Sequence, residues 1–98
     1  MIIKTIKVAG VTYNIVEKPF IDIDGSRDYQ GVCIYPKLEI AILSDISQER
    51  KEQTLVHELT HAMFYEAGFE GQDEQDEEMI SRFSNVLYQV LKDNDGIV

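Results

Sequence analysis

The segment "TLVHELTHAMFYEAG" (54–68) carries both histidines of the 98-residue chain, His57 and His61, four residues apart, with Glu58 directly after the first. On an α-helix, residues four apart share a face about one turn apart. Both imidazoles can therefore reach one Zn²⁺ at ~2.0–2.1 Å. Glu58 is turned ~100° from His57 around the helix axis, so it stands beside the metal without ligating it. From there it can take a proton from a water that the metal activates. Hydrolysis needs this division of labour, with neutral ligands on the cation and a free carboxylate as general base. The competing reading is a pair of packed, hydrogen-bonded imidazoles. Two histidines placed at random in a chain of this length fall four apart roughly 2% of the time, and a glutamate follows the first in about one case in ten, so chance supplies the pattern at ~0.2%. Leu55, Leu59, Ala62 and Met63 make the other sides of the helix apolar. A His-Glu-His face on such a helix is costly if packing is its only use.

A catalytic zinc normally takes a third protein ligand. No third histidine exists, and Phe64 and Ala67 occupy the places that Gly and His hold in the longer form of the motif. Cys33 stands alone on an expected strand and reads more simply as a small buried residue. The acidic stretch "EGQDEQDEE" (70–78) is the better source. It leads into a second helix whose inner stripe is expected to be Ile80, Phe83, Leu87 and Val90, with Leu91 also at helical spacing. Carried backward by three or four residues, that stripe reaches Glu77, Asp76 and Asp73. Glu78 falls with Arg82, Asn85 and Gln89 on the polar face, so Glu77 is chosen as the third ligand and Glu78, like Glu74, is read as solvated. Asp73 and Asp76 are candidates for carboxylates that orient a histidine ligand. Tyr65, four residues past His61, is a candidate donor to a ligand or to a developing oxyanion, and equally a packing tyrosine.

These side chains need elements to position them. "MIIKTIKV" and "VTYNIVE", separated by Ala9-Gly10, alternate like the two strands of a hairpin. Pro19 ends regular pairing, and "DIDGSRD" (22–28) reads as a loop. "YQGVCIY" (29–35) and "LEIAILS" (38–44) are expected as a third and fourth strand, joined by a turn at Pro36-Lys37. Ser47 can N-cap the motif helix with Glu49 in its first turn, and Gly68 can stop it. The second helix is expected to run to about Asp93. The expected fold is α+β: a small antiparallel sheet of about four strands followed by two helices, over residues 1–98 as a single domain. If the fourth strand forms the sheet edge above the metal, a peptide can add to it as an extra strand.

Composition narrows the partners. Nine Lys and Arg stand against 18 Asp and Glu, a net charge of −9. A surface that neutralises phosphates has the opposite sign, so direct nucleic-acid binding is not expected. No apolar run approaches the ~20 residues that span a bilayer. "MIIKTIKVAG" lacks the long apolar stretch of a secretory signal, and the single cysteine forms no internal disulfide. A cytoplasmic protein is expected.

"QTLVHELTHAMFYEAG" followed by "EEMISRFSNVLYQVLKDN" resembles small phage- and prophage-encoded relatives of the ImmA/IrrE metallopeptidase family, over roughly residues 29–95. The resemblance implies a minimal zincin-like domain in a bacterial host cell. It implies Zn²⁺ held by His57, His61 and Glu77, with Glu58 as base. It also implies a protein or peptide substrate, a helix-turn-helix repressor being the type that family members clip. One departure stands out. Ile80 and Ser81 replace the Ala-Asn that follows the glutamate in larger members, so the motif alone does not choose between Glu77 and Glu78. The resulting expectation is a zinc-dependent endopeptidase. The alternative is a zinc-stabilised domain that binds a host or phage regulator without cutting it.

Overall fold

A computed structural model of the protein describes residues 3–69 and 76–97. Four strands form one sheet: β1 (Thr5–Val8), β2 (Val11–Lys18), β3 (Gly31–Ile34) and β4 (Glu39–Leu43). Two helices follow, α1 (Gln48–Glu66) and α2 (Glu77–Asp93). The fold is therefore α+β, with a four-stranded sheet preceding a helix pair. Among the described residues no helix is long and apolar enough to cross a membrane.

The β1–β2 hairpin turns at Ala9 and Gly10, both at positive φ (52° and 82°), the pair of left-handed residues that a tight two-residue hairpin demands. Val8 pairs with Val11 across it. A short 3₁₀ turn at Tyr35–Lys37 joins β3 to β4, which are also antiparallel.

The sheet is not wholly antiparallel. Its order is β1-β2-β4-β3, and β4 lies parallel to β2, with Ile15 beside Ile40. The β3–β4 hairpin has thus turned β4 inward and left β3 at the edge. Ile40, Ala41 and Ile42 are all fully buried. A run of apolar residues buried on both faces is the property of a central strand, whereas an edge strand over one core alternates. β4 is therefore not the sheet edge, and the condition under which a peptide could add to it is not met.

The sheet's inner face contributes Val8, Tyr13, Ile15, Cys33, Ile40 and Ile42 to the core, and α1 adds Leu55 and Ala62. Ser47 caps α1 by accepting from the Arg50 amide at 3.1 Å. At the other end the buried Tyr13 hydroxyl donates to Glu66 at 2.7 Å, which pins the last turn of α1 to β2.

α2 lies antiparallel to α1. Its first residue, Glu77, reaches His57, while Tyr88 and Lys92 near its end both donate to Glu52 in the first turns of α1, at 3.0 and 2.6 Å. Its inner stripe differs from the expected one. Ile80 and Ser84 are the buried positions and Leu87, Tyr88 and Val90 are half-buried, while Phe83 is 52% exposed and Leu91 is exposed as well. Ser84 is the residue that faces His57, with Oγ 3.5 Å from Nδ1, while Phe83 meets the Phe64 ring of α1 edge-on at 6.3 Å.

Candidate metal centre

Every feature of the site follows from two helices meeting over a sheet edge. His57 and His61 project from one face of α1, their ring centroids 5.1 Å apart and their planes at 68°. His61 is completely buried, and His57 is partly open. The first residue of α2 closes the group. One carboxylate oxygen of Glu77 lies 2.7 Å from His57 Nε2 and the other lies 3.1 Å from His61 Nε2. Ligand atoms from all three residues lie within 4.8 Å of one another. Two imidazole nitrogens and one carboxylate oxygen make up a donor set that suits Zn²⁺. The residues present therefore fit the metal that the motif implies.

Glu78 turns away. Its carboxylate pairs with Arg82 at 2.7 Å, and both side chains are largely in solvent. The difference arises at the helix start. Asp76 is the N-cap and accepts from the amides of Glu78 and Met79 at 3.0 and 3.2 Å. That cap sets the rotation of the first turn, which directs residue 77 toward α1 and residue 78 outward. Oδ1 of Asp76 is thereby engaged by the backbone, and among the described residues no contact of Asp76 with a histidine is seen. Asp73 lies outside the described residues.

Ser84, which sequence reasoning missed, stands nearest the other nitrogen of His57. Its Oγ is 3.5 Å from His57 Nδ1 and donates to the Ser81 carbonyl at 3.1 Å. With its own proton so engaged, Ser84 Oγ would accept from Nδ1–H when a cation is held at Nε2. Loss of such a partner typically costs 10–100-fold in metal affinity. Ser84→Ala should accordingly weaken zinc binding by about tenfold, measured by competition with a fluorescent chelator, while the unloaded protein melts nearly as wild type. Unchanged affinity would show that Ser84 is only a packing residue.

Glu58 is buried at 6% exposure, and its Oε1 has no hydrogen-bond partner among the described residues. Burial, and secondarily the negative charge of Glu77, push its pKa up to about 8. An unpartnered buried carboxyl is costly in a structural element. A cation among the neighbouring donors would favour its ionised form.

Cys33 is buried in the core and takes no part in the cluster. Burial, then the nearby Glu58 and Glu66, push its thiol up to about 12. Tyr65 is not brought to the cleft. Its ring stacks on Tyr35 at 4.1 Å and 5°. Four residues overshoot a full turn by ~40°, and over the eight residues from His57 that drift carries Tyr65 off the ligand face.

His57 and Glu77 open into a cleft of about 550 Å³ between α1, the start of α2 and the segment entering β3, with Glu58 and Gly31 also among its lining. Gly31 is a second residue that sequence reasoning passed over. A Cβ there would lie 2.6 Å from Thr54 Cγ2, 3.2 Å from the Ala41 carbonyl oxygen and 3.2 Å from Glu58 Cγ. A glycine at the start of a strand can mark such a close approach. Gly31→Ala should push α1 off β3, with a loss of about 1–3 kcal/mol as for overpacked cores, read from urea unfolding. It should also displace Glu58, whose Cγ the added methyl would crowd. A variant as stable as wild type would show that the helix yields without strain.

Compared with known proteins, the chain matches no family model, no curated protein and no solved structure.

Proposed function

We propose that the protein is a zinc-dependent endopeptidase acting on a regulatory protein in the cytoplasm of a bacterial host. The observation that carries this reading is the pairing of a three-donor cluster, His57, His61 and Glu77, with a neighbouring carboxylate, Glu58, that the cluster does not use. A bound Zn²⁺ supplies Lewis-acid polarisation of a carbonyl and makes water a usable nucleophile near neutral pH. Glu58 accepts the proton of the attacking water and returns it to the leaving amine. Burial suits Glu58 to both steps, since a raised pKa brings a carboxyl toward the working pH. The peptide lies along the cleft beside the β3 edge. The resemblance to ImmA/IrrE-type peptidases supports a helix-turn-helix repressor as the substrate.

The test is intact-mass spectrometry of such a repressor after incubation with zinc-loaded protein. Two fragments whose masses sum to the repressor plus one water are expected. An uncut repressor that nevertheless co-migrates with the protein would favour the alternative, a metal-stabilised binding domain. One observation favours that alternative: Glu77 joins α2 to α1 through both histidines, so a metal there would serve the fold even without chemistry.

A further inference from the structure

The cleft carries a charge that the triad and its base do not account for. The chain has three arginines. Arg27 is paired with Asp22 at 3.5 Å and Arg82 with Glu78 at 2.7 Å. Arg50 lines the cleft, and among the described residues its guanidinium meets only a neutral partner, Gln53 Oε1, at 3.0 Å from Nη1. Of the three arginines, Arg50 is thus the one whose guanidinium meets no carboxylate among the described residues. Arg50 is also the one Lys or Arg among the described residues that line this cleft. Its contact with Gln53 occupies one donor and leaves the rest of the guanidinium fork, the geometry that takes a carboxylate through two parallel hydrogen bonds.

We propose that Arg50, oriented by Gln53, is a specificity-determining residue that selects a peptide carboxylate, an Asp or Glu side chain or a C-terminus, at a fixed distance from the bond that is cut. The proposal rests on the peptidase reading for its second half only. Arg50 precedes His57 by seven residues, two turns along the same face of α1, or ~10.5 Å along the axis. An extended peptide advances ~3.3 Å per residue. The selected carboxylate therefore lies about three residues from the scissile bond. Asp28 also lines the cleft, on the side toward β3. It disfavours acidic residues along that wall, so the preference is confined to one position.

The experiment has a binding arm and a cleavage arm. In the first, an array of amidated peptides with one acidic residue moved through each position, and matched acid-free peptides with a free C-terminus, is probed with zinc-loaded Glu58→Gln protein. Acid-containing or free-C-terminal peptides should bind roughly tenfold better than neutral ones, the worth of a charge-assisted hydrogen bond. Arg50→Glu should remove that preference and favour Lys or Arg instead. That substitution places a glutamate three residues after the N-cap Ser47, a favourable position for the helix, so zinc content and melting temperature should hold. Which peptides bind identifies the carboxylate as side chain or C-terminus. In the cleavage arm, wild-type protein should cut with the carboxylate about three residues from the new terminus. Selective binding without cutting would sink the peptidase reading and keep the carboxylate site. Cutting with the same sequence preference in wild type and Arg50→Glu would overturn the proposal and keep the peptidase. Absence of both binding preference and cutting would overturn both.

Discussion

Glu58→Gln should lower proteolysis by ~10²–10⁴-fold, the usual worth of a general base, while the protein keeps its fold and its zinc. The geometry predicts both halves. Glu58 is buried and its Oε1 lacks a partner among the described residues, so an amide of the same shape breaks no hydrogen bond at that atom. It also takes no place in the cluster of His57, His61 and Glu77. Glutamine carries no charge to desolvate, so the unloaded variant should be at least as stable as wild type near and above pH 8, where the buried carboxyl would otherwise be ionised. Product formation followed by mass spectrometry, with zinc content and melting measured on the same samples, separates the two halves. A variant that cuts at the wild-type rate would remove Glu58 from the mechanism. One that loses zinc as well would make it a ligand rather than a base.

His61→Ala should abolish stoichiometric zinc binding, and Glu77→Ala should weaken it severely, whereas Glu78→Ala should leave it unchanged. His61 is fully buried, and Glu77 is its partner from the other helix. Metal bound only by the folded state stabilises it by ~4 kcal/mol at a thousandfold excess over Kd. In a domain of this size that corresponds to a shift in melting temperature on the order of 15 °C or more. A chelator should therefore lower the wild-type melting temperature by that order and hardly move that of His61→Ala. Elemental analysis supplies the direct count, about one zinc per chain. Equal chelator shifts in wild type and Glu77→Ala would show that Glu77 is not a ligand.

The histidines and the glutamate between them were legible because a helix converts spacing into geometry without help from the rest of the chain. Glu77 was legible for a similar reason, since the stripe of α2 extends backward through its first turn. The reading that found it was nevertheless imperfect, as Phe83 belongs outside and Ser84 inside. Apolarity alone cannot show that a polar side chain is required beside His57. Strand existence was also plain, but strand order was not. Nothing local fixes whether β4 pairs on one side or two. The one hint was the unbroken Ile40-Ala41-Ile42, which a half-exposed strand would have interrupted with polar residues. Gly31 and Arg50 were out of reach for a different reason. Their roles depend on contacts with residues more than twenty positions away, or on the absence of a partner in space.

The placement of β4 between β2 and β3 bears on the order in which the chain assembles. Asn14 must find Glu39, and Lys18 must find Leu43, before the sheet has a centre. Each closure spans 25 residues, an entropic cost that precedes any gain from docking the helices. The barrier to folding should therefore lie in the pairing of β2 with β4, and α2 should dock late. Substitutions such as Ile40→Val should slow folding, while Ile80→Val should chiefly speed unfolding. The triad would then form only in the final step, when α2 delivers Glu77, so α2 can detach while the sheet survives. In the metal-free protein the junction of α1 and α2 at Glu77 would then open before the sheet does.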